Sequence, residues 1–348
     1  MPLDPTFAKD LKKADLRYVS DSTIGILREK KGENFVYVDT DTHTITSDIV
    51  LKRINDLAIP PAWTSVWICP SPTGYLQATG LDEKGRKQYV YHQDWIKISQ
   101  ENKFNKIIAF AQFLPIIRER ISRDMADEAL EKDKIIATVI WLLQHTLIRI
   151  GNEEYAKENN SFGLTTLRSR HVNVSGKQVN LEFRGKSGVE HTVSVTHPKI
   201  VKIIKECIEL PGYEIFQYIG SDNERHTVDS SDVNMYLQTL TGEDITAKDF
   251  RTWGATVLSA VTLHTIGPAI NPDEIKKNIS QTVKKVSQHL RNTTSVCKTY
   301  YIHPTVLQTY QKDILVAHFE NMYKKFPHEK TQMNRQEFAT VTLLEKYS

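Results

Sequence analysis

The feature that most limits what this chain can fold into is a change of hydrophobic period near residues 93–100. Before it, apolar residues come in short runs. Phe35-Val36-Tyr37-Val38 and Val66-Trp67-Ile68 each sit between clusters of Gly, Pro, Asp and Ser, the pattern of strands separated by turns. After it, apolar residues recur at three-and-four spacing through Phe104 to Ile121 and again through Ile135 to Ile148, the period of buried helix faces. The expected architecture is therefore α+β, with a small β-rich lobe over residues 1–95 and a larger, mainly helical lobe over residues 96–348. In the first lobe a helix is expected from Asp48 to Leu57, with the Ser47 hydroxyl placed to cap it and Ile59-Pro60-Pro61 ending it. A short β insert interrupts the second lobe at about 172–196, in three runs joined by the turns Ser175-Gly176 and Gly185-Lys186-Ser187-Gly188. No internal repeat, low-complexity tract or flexible linker stands out.

Composition excludes several classes. The longest apolar run, Ile135 to Leu143, is too short to cross a bilayer and is broken by Thr138, so a buried helix and no membrane span are expected. The first residues lack the apolar stretch of a secretory signal, and Cys69, Cys207 and Cys297 show no metal or redox spacing, which predicts a reducing, intracellular setting. The net charge is only +3, and as a bare sum it argues against a nucleic-acid ligand. Its distribution says otherwise. Residues 165–205 hold 8 bases and 2 acids, and residues 275–303 hold 6 bases and no acid, while residues 206–250 hold 10 acids and 2 bases. The acidic stretch masks two basic ones, which read either as solvated helix faces or as two walls of a polyanion-binding cleft.

Several residues are candidates for chemistry, each with an ordinary alternative. Arg149 precedes Ile150-Gly151-Asn152-Glu153-Glu154-Tyr155 and reads, in the plain case, as a cation closing an apolar helix. Lys186 is presented outward by its tight turn, as most turn lysines are. Lys248 and Arg251 lie three apart in Lys248-Asp249-Phe250-Arg251-Thr252-Trp253-Gly254 and share a face if helical. Asn292 and Tyr301 lie nine apart in a segment ending Tyr300-Tyr301-Ile302-His303-Pro304. In the first lobe, Gln77 and the hairpin residues Arg86, Lys87, Gln88 and Tyr89 mix cations with an aromatic ring, a pattern suited to backbone phosphates and bases and equally to a half-buried β-hairpin.

Taken in order, Arg149, Lys186, Arg251, Asn292 and Tyr301, within the words RIGNEEY, FGLTTLR, FRGKSG, KDFRTWGAT and SVCKTYYIHP, resemble the type IB DNA topoisomerases of the compact poxvirus and bacterial kind. LAIPPAW, GYLQATG and GRKQYVYH are similar to the small N-terminal domain of the bacterial members, so the resemblance runs from about residue 20 to about residue 320. It implies a clamp around duplex DNA with Tyr301 as nucleophile, Arg149 and Arg251 holding the phosphate, Lys186 as general acid and Asn292 as a further donor. Tyr300 is the adjacent competitor. The Asn292 position is His in the poxvirus members, and an amide there donates a hydrogen bond without transferring a proton. Tyr155 and Lys248 match further DNA-contacting positions. Ser187 stands where some members have Asp, and no role is assigned to it. The implied enzyme is a monomeric isomerase that relaxes supercoils through a 3′-phosphotyrosyl intermediate, needs neither ATP nor a divalent metal, and sits in the cytoplasm on the nucleoid. A tyrosine recombinase uses a similar clamp but usually has His three residues before the second Arg, where this chain has Lys248. A non-catalytic DNA-binding relative is the third reading.

Overall fold

A computed structural model describes residues 5–326 and 332–348. The chain divides into two compact units, Met1–Phe104 and Asn105–Ser348, a division that falls inside a helix.

The first unit is built on a five-stranded antiparallel sheet. After helix α1 (Pro5–Lys13) come β1 (Ile26–Lys31), β2 (Asn34–Val38), α2 (Asp48–Asp56), β3 (Thr64–Ile68), β4 (Leu76–Leu81) and β5 (Lys87–Tyr91), in the sheet order β2-β1-β3-β4-β5. Ile54 of α2 packs with Ile26, Val66, Ile68 and Ala78 in the unit's main core. β1 carries the sequence ILREKK and buries only Ile26, so backbone pairing on both edges makes it a strand where its side chains gave no apolar alternation. Its Arg28 donates to the carbonyls of Ile59, Pro60 and Trp63, which fixes the proline loop that follows α2. Ser47 does precede α2, but its hydroxyl makes no capping bond. Its carbonyl instead accepts from Leu51 N–H, at 2.9 Å, and Asp48 places a carboxylate against the positive helix end.

The second unit is mainly helical. α3 (Gln93–Asp124) leads into α4 (Lys132–Thr146) and α5 (Glu153–Asn159), then a three-stranded sheet β6 (Val172–Ser175), β7 (Gln178–Arg184) and β8 (Glu190–Val195), and α6 (Pro198–Glu209). A two-stranded ribbon that the sequence did not announce, β9 (Gln217–Ile219) and β10 (Arg225–Thr227), precedes α7 (Ser230–Thr241), α8 (Ala247–Ile266), α9 (Pro272–Leu290), α10 (Thr294–Tyr300), α11 (Pro304–Gln311), α12 (Leu315–Lys325) and α13 (Arg335–Tyr347). Ile135 to Ile140, Leu142 and Leu143 of α4 are buried, and α4 packs on α8 at the centre of one large core. Among the described residues no helix is long and apolar enough to cross a membrane. The acidic stretch is largely spent on ion pairs within this unit: Asp232 with Lys132, Glu206 with Lys134, and Asp244 and Asp249 with Lys106.

Candidate active site

Four separate segments of the second unit bring its candidate residues together. The first is the exit from α4. Leu147 adopts the left-handed conformation (φ 52°) and ends the helix at Thr146, so Arg149 lies beyond the helix and is not the helix-closing cation of the ordinary reading. The segment is pinned by the turn that follows α5: Leu164 N–H donates to the Arg149 carbonyl (2.9 Å) and Thr165 N–H to that of Ile150 (2.7 Å). Gly163 makes the approach possible, since a Cβ there would come within 2.5 Å of Gly151 N and 2.6 Å of Arg149 O.

The second segment is the β7–β8 turn, which carries Lys186. Phe162 N–H donates to the Arg184 carbonyl (2.8 Å) and so ties this hairpin to the same turn that holds Arg149. Ser187 and Gly188 both take positive φ (63° and 77°), leaving Lys186 exposed and, among the described residues, without an ion pair.

The third is the first turns of α8, where Lys248 and Arg251 lie on one face. Arg251 is only 3% exposed. Its Nη1 donates to the Leu147 carbonyl and its Nη2 to that of Leu290 (3.0 Å). Both acceptors are carbonyls released by the end of a helix. Gly254, one turn on, leaves room for the Leu147 side chain, which a Cβ would meet at 2.6 Å.

The fourth runs from α9 through α10. Arg291 in the left-handed region (φ 53°) ends α9, and the next residue, Asn292, accepts a hydrogen bond from Arg149 Nη2. Tyr301 ends α10. Its N–H donates to Cys297 O (3.0 Å) and its carbonyl accepts from the Thr256 hydroxyl (3.2 Å), which in turn accepts from His303 N–H (3.2 Å).

These segments enclose a cleft of about 420 Å³ lined by Arg149, Tyr155, Lys186, Lys248, Arg251 and Tyr301, with Ile150, Gly151, Asn152, Ser161, Phe162 and Ala247 completing the wall. The Arg251 guanidinium lies 5.3 Å from the centre of the Tyr301 ring. Tyr300 does not line the cleft. Burial pushes the Tyr301 phenol up, but the charge and donors of Arg251, the Arg149 charge and the Asn292 amide outweigh it and leave the phenol below its ordinary value. Burial, and after it Arg149, pulls Arg251 below the usual guanidinium value. Neither arginine has a carboxylate partner among the described residues. Among the described residues, Arg149 Nη1, Arg251 Nε and Asn292 Nδ2 are buried and make no hydrogen bond of ordinary geometry. Leaving a buried donor unmade costs about 1–3 kcal/mol, and a buried Arg251 beside a half-buried Arg149, like charges without a counterion, is less favourable still. An anion in the cleft relieves both.

A family profile described as the catalytic core of eukaryotic DNA topoisomerase I matches residues 92–331, and one described as the N-terminal domain of bacterial DNA topoisomerase IB matches residues 34–82. The chain belongs to the type IB DNA topoisomerases. Among curated relatives, it is 35% identical to the DNA topoisomerase 1B of Acanthamoeba polyphaga mimivirus over 298 residues, 83% of this chain and 88% of the relative. It is 24% identical to the DNA topoisomerase 1B of vaccinia virus (strain Western Reserve) over 230 residues, 66% of this chain and 70% of the relative. With DNA topoisomerase 1 of Schizosaccharomyces pombe it shares 26% identity over 47% of this chain and 20% of the relative.

Within this type IB enzyme the basic stretches are only partly walls of the cleft. Lys186 comes from one, Asn292 and Tyr301 from the other, but Lys202 pairs with Glu206 and Lys276 with Asp273 on outer faces. The first-lobe candidates divide as well. Gln77 is 3% exposed, with its amide bonded to Arg53 and to the carbonyls of Ser71, Pro72 and Gly74, so it braces the sheet from inside. Arg86 is paired with Asp82, Gln88 donates to the same carboxylate, and Lys87 is paired with Asp21. Tyr89 is half exposed and stacks on Tyr91 at 6.0 Å. Residue types alone gave no sign of Gly163, Thr256 and the Leu147 and Leu290 carbonyls, because their contributions are a missing Cβ, a buried hydroxyl and backbone oxygens. For Gly163 the signal lay in its place within FGLTTLR.

Proposed function

We propose that this enzyme relaxes supercoiled duplex DNA by transesterification at Tyr301. The observation that carries the reading is two guanidiniums with no carboxylate partner among the described residues, whose Arg149 Nη1 and Arg251 Nε, like Asn292 Nδ2, are buried without a hydrogen bond of ordinary geometry, beside a phenol whose ionised form the same groups favour. A phosphodiester supplies the missing acceptors. As the phenol attacks, negative charge grows on the non-bridging oxygens, and donors already fixed at those oxygens stabilise that charge without reorganising. Two guanidiniums stay charged at any working pH and can each bridge two oxygens. Asn292 donates without titrating and, through its carbonyl oxygen, orients Arg149. The tyrosyl oxygen forms a bond to phosphorus as the bond to the 5′ oxygen breaks. Lys186, exposed on its turn, delivers a proton to that leaving oxygen. One phosphoester replaces another, so the 3′-phosphotyrosyl state stores the bond, the broken end turns, and the reverse attack reseals the strand with no ATP and no divalent metal. Tyr155 and Lys248 in the cleft wall bind flanking phosphates. The proposal extends to a monomer that closes as a clamp on the duplex and, in a bacterial cell, resides on the nucleoid, a reading supported by the resemblance to the compact members.

Incubation with supercoiled plasmid in EDTA and without nucleotide tests this. Relaxation is expected, together with a covalent protein–DNA adduct at the 3′ end of a nicked labelled duplex. Tyr301→Phe removes both and leaves DNA binding intact. Undiminished relaxation by Tyr301→Phe sinks the assignment and moves the nucleophile to Tyr300. Recombinant products without catalytic relaxation favour the tyrosine recombinase.

A further inference from the structure

Part of the second basic stretch is not absorbed by the catalytic cleft. Lys285 and Arg291 instead line a separate cavity of about 450 Å³, walled by the end of α4 (His145 to Ile148), by β8 (His191, Thr192, Val193), by Leu258 of α8 and by α9 with its cap (Lys285, Gln288, His289, Arg291). This lining contains two permanent cations and three imidazoles, and no acid.

The other cavities of the second unit differ. The one between α3, α4 and α7 sets Arg120 and Lys132 against Asp133 and Asp232, with both cations paired. The one behind α4 also lacks an acid in its lining, but its Arg118 is bonded to Glu337, which leaves Lys199 as its one cation without an ion pair among the described residues. Here Lys285 and Arg291 have no ion pair among the described residues. His191 is 5% exposed, stacks on Phe183 at 4.7 Å and has no side-chain hydrogen bond among the described residues. A buried imidazole normally finds a partner. One without a protein partner, in a wall of cations, offers a donor to whatever enters.

We infer that this cavity is a second anion site, which takes a phosphate group other than the one being cleaved. Lys285 and Arg291 supply the charge, Arg291 with a planar fork matched to phosphate oxygens, and His191 and His289 supply ring N–H donors. Burial, together with the nearby arginines, holds His191 down to about 4 and lowers His289. Both rings are therefore neutral in the free protein, able to donate one bond each and to gain a proton when an anion arrives. The phosphate comes either from the backbone of the bound duplex or from a small free polyphosphate. In both cases the ligand lies against the backbone that holds Arg251, because Leu147 lines the cavity and gives its carbonyl to that guanidinium, and Arg291 follows directly on Leu290, which does the same. The inference does not depend on the catalytic reading, since its readout is binding.

The test follows the imidazole NMR signals of the full chain, assigned with His191→Gln and His289→Gln, during titration with inorganic pyrophosphate and, separately, with a short duplex. Saturable movement of the His191 and His289 signals by pyrophosphate, weakened at least tenfold in Lys285→Ala/Arg291→Ala, supports a free polyphosphate as ligand. Movement only with the duplex, with the slope of log affinity against log salt reduced by about two in the double variant, supports a backbone phosphate. Both altered side chains are exposed, and an unchanged melting curve checks that the fold is retained. Signals that neither probe moves, or that move equally in the double variant, overturn the inference.

Discussion

The cleft of the second unit and the hairpin of the first are both rich in basic residues, yet they handle charge in opposite ways. In the hairpin each candidate cation already has an anion: Arg86 has Asp82, and Lys87 has Asp21. Both cations face solvent, where such pairs contribute little. In the cleft Arg251 is almost fully buried and, like Arg149, has no carboxylate partner among the described residues, and buried donors there are left over. A count of Lys and Arg along the sequence makes the two regions look alike. What separates an anion site from a decorated surface is the combination of burial and missing partners.

Four measurements can break or sharpen that contrast. The largest effect is expected from Arg251→Ala, which removes a fixed donor from the cleft and strips two helix-end carbonyls of their partner. Single-turnover cleavage of a labelled duplex falls by about 10²–10³-fold, and Arg251→Lys does not restore it, because the three donors of an ammonium sit on one nitrogen and lack the planar fork that spans both carbonyls and a phosphate. A rate within tenfold of the parent removes Arg251 from the clamp.

Next comes a half-buried cation paired with a buried carboxylate. Arg118 makes two bonds to Glu337, at 2.7 and 2.8 Å, and Trp253 Nε1 donates to the same carboxylate at 3.3 Å. Glu337→Ala removes the carboxylate from Arg118, which is half-buried and keeps Gln144 and the Gln332 carbonyl as acceptors, and should cost about 2 kcal/mol, less than a fully buried pair, read as a lower midpoint in denaturant. A smaller loss means that this pair behaves like those of the hairpin.

The third measurement concerns pH. Since the cleft cations hold the Tyr301 phenol below its ordinary value, the wild-type minus Tyr301→Phe absorbance titration should rise with a midpoint below about 10. In Arg251→Ala the midpoint moves up, because the ionised phenol loses its nearest cation while burial still opposes its charge. A midpoint unchanged by that substitution breaks the electrostatic account of the nucleophile.

The smallest effect is expected in the hairpin. Asp21→Asn with Asp82→Asn frees Lys87 and Arg86, leaves the melting transition where it was, and steepens the salt dependence of duplex binding by one to about two units if both meet phosphates. An unchanged slope means that the hairpin stands clear of the duplex.

Much of this was legible in the chain itself. The switch of period near residue 93 coincides with the start of α3, although the two units divide only after Phe104, within that helix, and all three strands of the 172–196 insert fall on the runs that the turns set apart. The order Arg149, Lys186, Arg251, Asn292, Tyr301 marks residues that share one place in the fold, four lining the cleft and Asn292 bonded to one of them. Illegible were features decided by partners distant in sequence. Gln77 reads as a polar reader of DNA until the Arg53 guanidinium and three carbonyls are seen to engage it. Arg149 reads as a helix cap until Leu147 is seen to end the helix first. β1 lacks the strand pattern because its pairing, not its burial, defines it.

The Thr256 hydroxyl, part of the frame around Tyr301, has a mechanical consequence for the proposed mechanism. In the proposed covalent state a turning duplex end exerts torque, and the path of that torque runs through Tyr301, at the end of a seven-residue helix. So short a helix is a weak beam. Thr256 touches the chain on both sides of the joint, at the Tyr301 carbonyl and the His303 amide, and is rooted in α8 through the Thr252 carbonyl at 2.8 Å. In that proposed state the load on α10 is shared with α8, the largely buried helix that also carries Arg251, and the tyrosyl oxygen is held in place for resealing.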